Sequence, residues 1–236
     1  GPVVRPRDHR GVSWQWDQSL YEGAAPHYAR GRVAYPRALA DLLAAELGLD
    51  GSGRLLDVGC GPGSLTLLLA PLVAEATGVD ADRGMIAEAE DLAVRAGVRN
   101  VRWQVLRAED LPAGLGTFRL VTFAQSFHWM DRDRVAAVVH GMLQPGGTCV
   151  HVHATTHEGV DSPGPLPHPE PPRAAIAELV RRYLGPERRA GQGVLSGGTP
   201  SGEEGIYRAA GFSGPHRLEL PGQLVPLRQQ PDRAVV

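Results

Sequence analysis

The 236 residues are 42% hydrophobic and 21% charged, enough apolar material for one sizeable core and no demand for a second. Lysine and arginine total 24 against 26 aspartates and glutamates, and the resulting formal charge of -2 gives no electrostatic footing for nucleic acid. Two cysteines make no disulfide framework and no apolar run is long enough to cross a bilayer, so the expectation is a reduced, cytoplasmic chain with no membrane partner.

Gly1-Pro2 reads as the remnant of a cleaved tag, with no leader peptide after it. From Trp14 to Tyr35 the chain is rich in aromatics, glycine and arginine and precedes any strand signal. Ala38–Leu47 has the spacing of an amphipathic helix, with Leu39, Leu42, Leu43 and Leu47 on one face and Gly48 as its stop. After the turn at Gly51-Ser52-Gly53, strands and helices alternate. Strands are expected at Arg54–Val58, Ala76–Val79, Arg102–Leu106, Leu120–Ala124 and, past a tight Pro145-Gly146-Gly147 turn, Thr148–His153. Helices are expected at Leu65–Leu72, at Gly84–Arg95 with Gly97 closing it, and from about Arg132 to Met142. This order predicts a doubly wound α/β fold, a mostly parallel sheet with helices on both faces. Beyond His157 come a proline-rich loop (Ser162 to Pro172), a helix at Arg173–Leu184, a flexible stretch from Gly191 to Gly205, a short helix at Glu203–Ala210 and a strand at His216–Leu220. The chain therefore divides into an N-terminal helical cap (1–50), a core (51–158) and a C-terminal insertion on the substrate side (159–236) within one domain.

The segment that carries chemistry is Leu55-Leu56-Asp57-Val58-Gly59-Cys60-Gly61-Pro62-Gly63-Ser64, which leaves a buried strand and opens a helix. Glycines there let the backbone turn sharply and approach a ligand, and the helix start presents unpaired N–H groups to an anion. A dinucleotide fingerprint needs G-x-G-x-x-G, whereas here the spacing is Gly59-x-Gly61-x-Gly63 with Ser64 in the third dinucleotide position. Asp57, inside the strand, would repel a pyrophosphate and suits an ammonium group. An amino-acid-bearing nucleoside fits both features, and the alternative is a glycine turn without a ligand. Asp80 ends the second strand, where an acid accepts hydrogen bonds from ribose hydroxyls. Its alternative role is to cap the following helix, for which Asp82 is better placed.

Leu56 to Gly63, Asp80, Ala108-Glu109-Asp110-Leu111-Pro112 and Leu143-Gln144-Pro145-Gly146-Gly147 together make a specific set. On them, the stretch from about Tyr28 to His157 resembles the class I S-adenosylmethionine-dependent methyltransferases. Tyr21 to Pro26 and Gln125-Ser126-Phe127-His128-Trp129 are similar to a bacterial subgroup that modifies small molecules. The resemblance implies a Rossmann-like core, S-adenosylmethionine as cofactor and a small-molecule acceptor, a specialised metabolite. It implies a cofactor wall of Tyr28, Arg32, Asp57, Gly59, Cys60, Gly61, Gly63, Asp80, Ala81, Met85, Ala108, Glu109 and Gln125. Two departures stand out. Arg107 occupies the place where many relatives carry an acid for the adenine amine, so adenine recognition falls to the Ala108 backbone, Glu109 or an apolar slot near Met85. No segment near Ala234-Val235-Val236 reads as the family's last antiparallel strand, so either the chain is cut short here or a partner chain, including a second copy, completes the sheet.

Methyl transfer from a sulfonium needs alignment and exclusion of water, and a base only when the acceptor loses a proton of high pKa. His157 and His128 both follow strand ends, so they are the candidate catalytic residues. The alternatives are a solvated loop histidine for His157 and packing beside Trp129 for His128. His151, His153 and His157 lack a carboxylate to complete a convincing metal set, and no metal is expected. Trp14, Trp16, Tyr21, Tyr28 and Tyr35 form a candidate lid over the cofactor. Rival readings are a nicotinamide-dependent oxidoreductase, which the glycine spacing opposes, a non-catalytic nucleoside-binding module, and methylation of a macromolecule.

Overall fold

The computed structural model describes Ala25 and residues 34–153, 172–185, 188–190, 193–195 and 202–220. Helix α1 (Arg37–Leu47) ends at Gly48, whose left-handed backbone (φ 58°) lets its N–H close on the Ala44 carbonyl. Strand β1 (Arg54–Val58) leads into α2 (Ser64–Leu69), prolonged by a 3-10 turn at Ala70–Leu72. Strand β2 (Glu75–Asp80) is followed by α3 (Arg83–Ala96) and β3 (Val101–Val105). A 3-10 turn at Ala108–Asp110 precedes β4 (Phe118–Ala124), and another at Phe127–Trp129 precedes α4 (Arg132–Met142) and β5 (Leu143–Val152). The helix α5 (Arg173–Leu184), the short strands β6 (Arg188–Ala190) and β7 (Gly193–Leu195), and α6 (Glu203–Ala209) complete the described elements.

The five long strands form one parallel sheet in the order β3-β2-β1-β4-β5. Parallel strands need crossover helices, which cover both faces, so the inner strands are largely apolar. Alternate residues of the sheet enter two cores. On one face Leu56, Val58, Val121 and Phe123 pack with Val135, Ala136, Val139 and Met142 of α4, and Ile206 and Tyr207 of α6 lie against this cluster. On the other, Leu55, Ala76 and Leu120 pack with Ala40 and Leu43 of α1 and Leu65 and Leu69 of α2. The doubly wound α/β expectation is met. The chain builds β1, β2 and β3 outward in one direction, then returns to lay β4 on the other side of β1. The crevice between the C-terminal ends of β1 and β4 is the switch point where such sheets take ligands.

Three expectations need correction. The Pro145-Gly146-Gly147 turn does not precede β5 but lies within it, as an irregularity in pairing: Phe118 faces Leu143, and the register then jumps so that Leu120 faces Thr148. The stretch from Gly191 contains a strand, Gly193–Leu195, paired antiparallel with Arg188–Ala190. His216–Leu220 forms no strand. Its alternation is real, but its polar side chains pair along the chain, with Arg217 Nε 2.9 Å from Glu219 Oε1, and Leu218 is 44% exposed.

Candidate active site

The C-terminal ends of β1, β2, β3 and β4 converge on one cavity, enclosing with its open mouth about 1000 Å3, a volume suited to a ligand of nucleoside size. Gly59, Cys60 and Gly61 form one part of its wall, Asp80, Ala81 and Met85 a second, Ala108 and Glu109 a third, and Gln125 a fourth. Nine of the residues expected around a cofactor are thus brought together.

Each is placed by its element. Val79 O accepts the backbone N–H groups of Gly59 (2.8 Å) and Cys60 (3.0 Å), which folds the turn after β1 over the end of β2. The three glycines have different reasons. A Cβ on Gly59 would lie 2.6 Å from Ser126 Cβ, and one on Gly63 would lie 2.3 Å from the Trp103 ring. Only Gly61 (φ 55°) faces open space, with no protein atom within 4 Å of an added Cβ. Gly61 is therefore where backbone and ligand can come close, while Gly63 is required by Trp103, and it is not on the cavity wall.

Asp80 reaches into the site with both oxygens partly engaged: Gly61 N donates to Oδ2 (2.8 Å) and Asp82 N to Oδ1 (2.9 Å). Each oxygen keeps a lone pair for a further donor. Burial pushes the Asp80 carboxyl above its ordinary value, and the backbone donors at Asp82 and Gly61 pull it back. The capping role falls to Asp82, whose side chain accepts Met85 N at 2.9 Å.

Asp57 stands elsewhere than expected. It is fully buried behind the glycine turn and does not line the cavity. Thr66 Oγ1 donates to its Oδ2 at 2.6 Å and Thr122 Oγ1 to its Oδ1 at 2.8 Å, which ties α2 and β4 to the centre of β1. Burial raises its pKa to about 6, against the lowering effect of the two hydroxyls. Burial likewise drives the Cys60 thiol well above its usual range, so it is no nucleophile.

Glu109 lines the cavity, but its Oε1 accepts the backbone N–H of Asp131 at 3.0 Å, and Arg107 Nε lies 3.6 Å from its Oε2. It thus joins the turn after β3 to the start of α4. Of the catalytic candidates, His128 does not line the cavity; its ring packs on Trp129 with centroids 4.9 Å apart, while Trp129 itself is on the wall. His157, Tyr28, Arg32 and the lid aromatics other than Tyr35 lie outside the described residues, and Tyr35 lines the cavity. His151 is turned toward α6, with Nδ1 3.4 Å from the Tyr207 hydroxyl. Sequence reasoning missed Leu106 and Met130 on the wall; the one signal for Leu106 was its place just past β3, and Met130 follows a 3-10 turn that periodicity did not mark.

Residues 55–147 match the family model described as a methyltransferase domain. Three relatives illustrate the likeness. A ubiquinone/menaquinone biosynthesis C-methyltransferase of Desulfotalea psychrophila is 35% identical over 47% of this chain and 45% of that protein. A 27-O-demethylrifamycin SV methyltransferase of Amycolatopsis mediterranei is 30% identical over 56% of this chain and 50% of that protein. A malonyl-[acyl-carrier protein] O-methyltransferase of Enterobacter lignolyticus is 33% identical over 74% of this chain and 64% of that protein. The chain spans about half the length of the relatives it matches.

Proposed function

We propose that the protein transfers the methyl group of S-adenosylmethionine to a small-molecule acceptor, a specialised metabolite, a reading supported by the match of residues 55–147 to a methyltransferase domain. One observation carries the reading: a half-buried carboxylate, Asp80, and a glycine with open space before it, Gly61, face the same cavity at the switch point of the sheet. That pair fits a ribose diol beside a closely approached chain. The adenine then lies on the β3 side, against Met85, Leu106 and Ala108, and the amino-acid end lies toward the start of α2.

The sulfonium supplies an activated methyl group, and the chain's task is to align the acceptor and exclude water. Tyr35, Ser126, Trp129 and Met130 supply the acceptor side of the cavity with aromatic and weakly polar surface. The rifamycin methyltransferase among the relatives supports a small molecule as the acceptor. Where the acceptor carries a proton of high pKa, His157 is the base and His128 the second candidate.

Calorimetry with S-adenosylmethionine, S-adenosylhomocysteine and NAD tests the reading. The first two bind and NAD does not; NAD binding as tight as that of S-adenosylhomocysteine would overturn it.

A further inference from the structure

We propose that Tyr207 of α6 is a positioning residue: from outside the cavity it fixes the 3-10 turn that carries the acceptor wall. That this wall meets the acceptor rests on the function proposed above.

The turn has two sides. Phe127, its first residue, is fully buried in the core. Ser126, just before it, and Trp129 and Met130, just after it, line the cavity. The backbone between them closes on itself: Trp129 N donates to Ser126 O at 3.0 Å and Met130 N to Phe127 O at 3.2 Å. So tight a turn has little internal freedom, and a displacement of the Phe127 ring carries Trp129 with it.

Strands β4 and β5 and helix α6 together hold the Phe127 ring. Phe123 of β4 and His151 of β5, which face each other across the two strands, meet it with centroids 4.8 and 5.6 Å away and planes tilted by 56° and 73°. Tyr207 lies nearly parallel to it, with 14° between the planes and 5.0 Å between the centroids. An offset stack of this kind fixes the tilt of a ring as well as its depth. Tyr207 is held in turn. Phe212 meets it edge-on at 5.4 Å, and its hydroxyl lies 3.4 Å from His151 Nδ1. At the start of α6, Glu203 Oε1 lies 3.9 Å from a guanidinium nitrogen of Arg132, the first residue of α4. Helix α6 thus grips both the buried side of the turn and the helix that follows it, although no residue of α6 is on the cavity wall. The C-terminal region reaches the acceptor through a ring stack.

Two tryptophans serve as reporters, since Trp129 is on the acceptor wall and Trp103 covers the glycine turn. The full chain is labelled with 5-fluorotryptophan, the two resonances are assigned by replacing Trp129 and Trp103 with phenylalanine in turn, and fluorine NMR spectra are compared. Tyr207→Leu, which keeps apolar bulk but loses the ring, shifts or broadens the Trp129 resonance and leaves that of Trp103 in place. Tyr207→Phe, which keeps the stack, leaves both in place. An unmoved Trp129 resonance in folded Tyr207→Leu overturns the proposal. So does a Trp103 resonance that moves with it, the mark of general loosening, or a Tyr207→Phe spectrum as altered as that of Tyr207→Leu. Tyr207→Met, with an unbranched and adaptable side chain, is read in the same way should the leucine variant fail to fold. Calorimetry of the wild type with S-adenosylhomocysteine stands apart. Absence of binding would fell the methyltransferase reading, while the fluorine spectra would still decide whether α6 holds the turn.

Discussion

Asp57 is an acid in surroundings that disfavour its ionised form, and it leaves a signature in the pH dependence of stability. Its carboxyl titrates near 6 in the fold, raised first by burial, against an ordinary value of 3.8. Between those two values the folded chain holds a proton that the unfolded chain has released. Stability therefore falls as pH rises from about 4 to about 6 and levels off above that, by on the order of 2–3 kcal/mol for this group alone. Asp57→Asn removes the titration, and Thr66 or Thr122 can turn its hydroxyl to accept from the new amide. Urea unfolding of both proteins at pH 4, 5, 6 and 7 should show the parent's slope and a flatter variant; parallel curves would assign the slope to other groups. At the same scale, the two candidate bases predict different outcomes. His157→Ala should lower the single-turnover rate by roughly 10²–10⁴-fold with an acceptor that must lose a proton, leaving S-adenosylhomocysteine affinity unchanged. His128→Ala, with its ring off the cavity wall and against Trp129, should alter the rate far less. Equal losses in both would count against His157 as the base.

The turn between β1 and α2 is shaped as much by a strand two places away as by a ligand. Trp103 sits on β3 opposite Gly78 of β2, and its ring covers both Gly78 and Gly63. A Cβ at Gly63 would meet the ring at 2.3 Å and would also need φ 78°. Gly63→Ala should therefore destabilise the protein by about 1–3 kcal/mol or more. Trp103→Leu in the same chain should recover part of that loss, giving a coupling of roughly 0.5–3 kcal/mol in a double-mutant cycle by chemical denaturation. Strict additivity would mean that the ring is not what demands the glycine. The sequence showed three glycines in a row of alternate positions and could not tell which one faces a ligand, because the packing partners Ser126 and Trp103 lie 67 and 40 residues away (126 − 59 and 103 − 63). The same limit explains Asp57: its place in the motif was legible, but its direction depended on hydroxyls from α2 and β4. Periodicity and caps, by contrast, are local, and β1, α4 and α5 lie at the expected bounds for that reason.

For the whole molecule, alternation of strands and helices was enough to read the class of fold, and the motifs' resemblance to a known family named nine residues of the cavity wall. The register irregularity in β5 and the loss of the His216–Leu220 strand were not legible, because both depend on which sheet edge is within reach. Sheet order also bears on how the protein comes into being. β1 pairs on one side with β2, close in sequence, and on the other with β4, whose Leu120, Val121 and Thr122 face Leu55, Leu56 and Asp57. Thr122 grips Asp57, and Ser126 holds the end of β1. A polypeptide emerging from the ribosome thus carries every glycine of the ligand turn long before it carries the residues that fix the turn's shape. Loop closure over that separation is slow compared with local pairing. Cofactor recognition should therefore arise all at once, when the stretch from Phe118 to Ser126 is free to dock, and an N-terminal fragment ending before it should be blind to the ligand although it contains the whole motif.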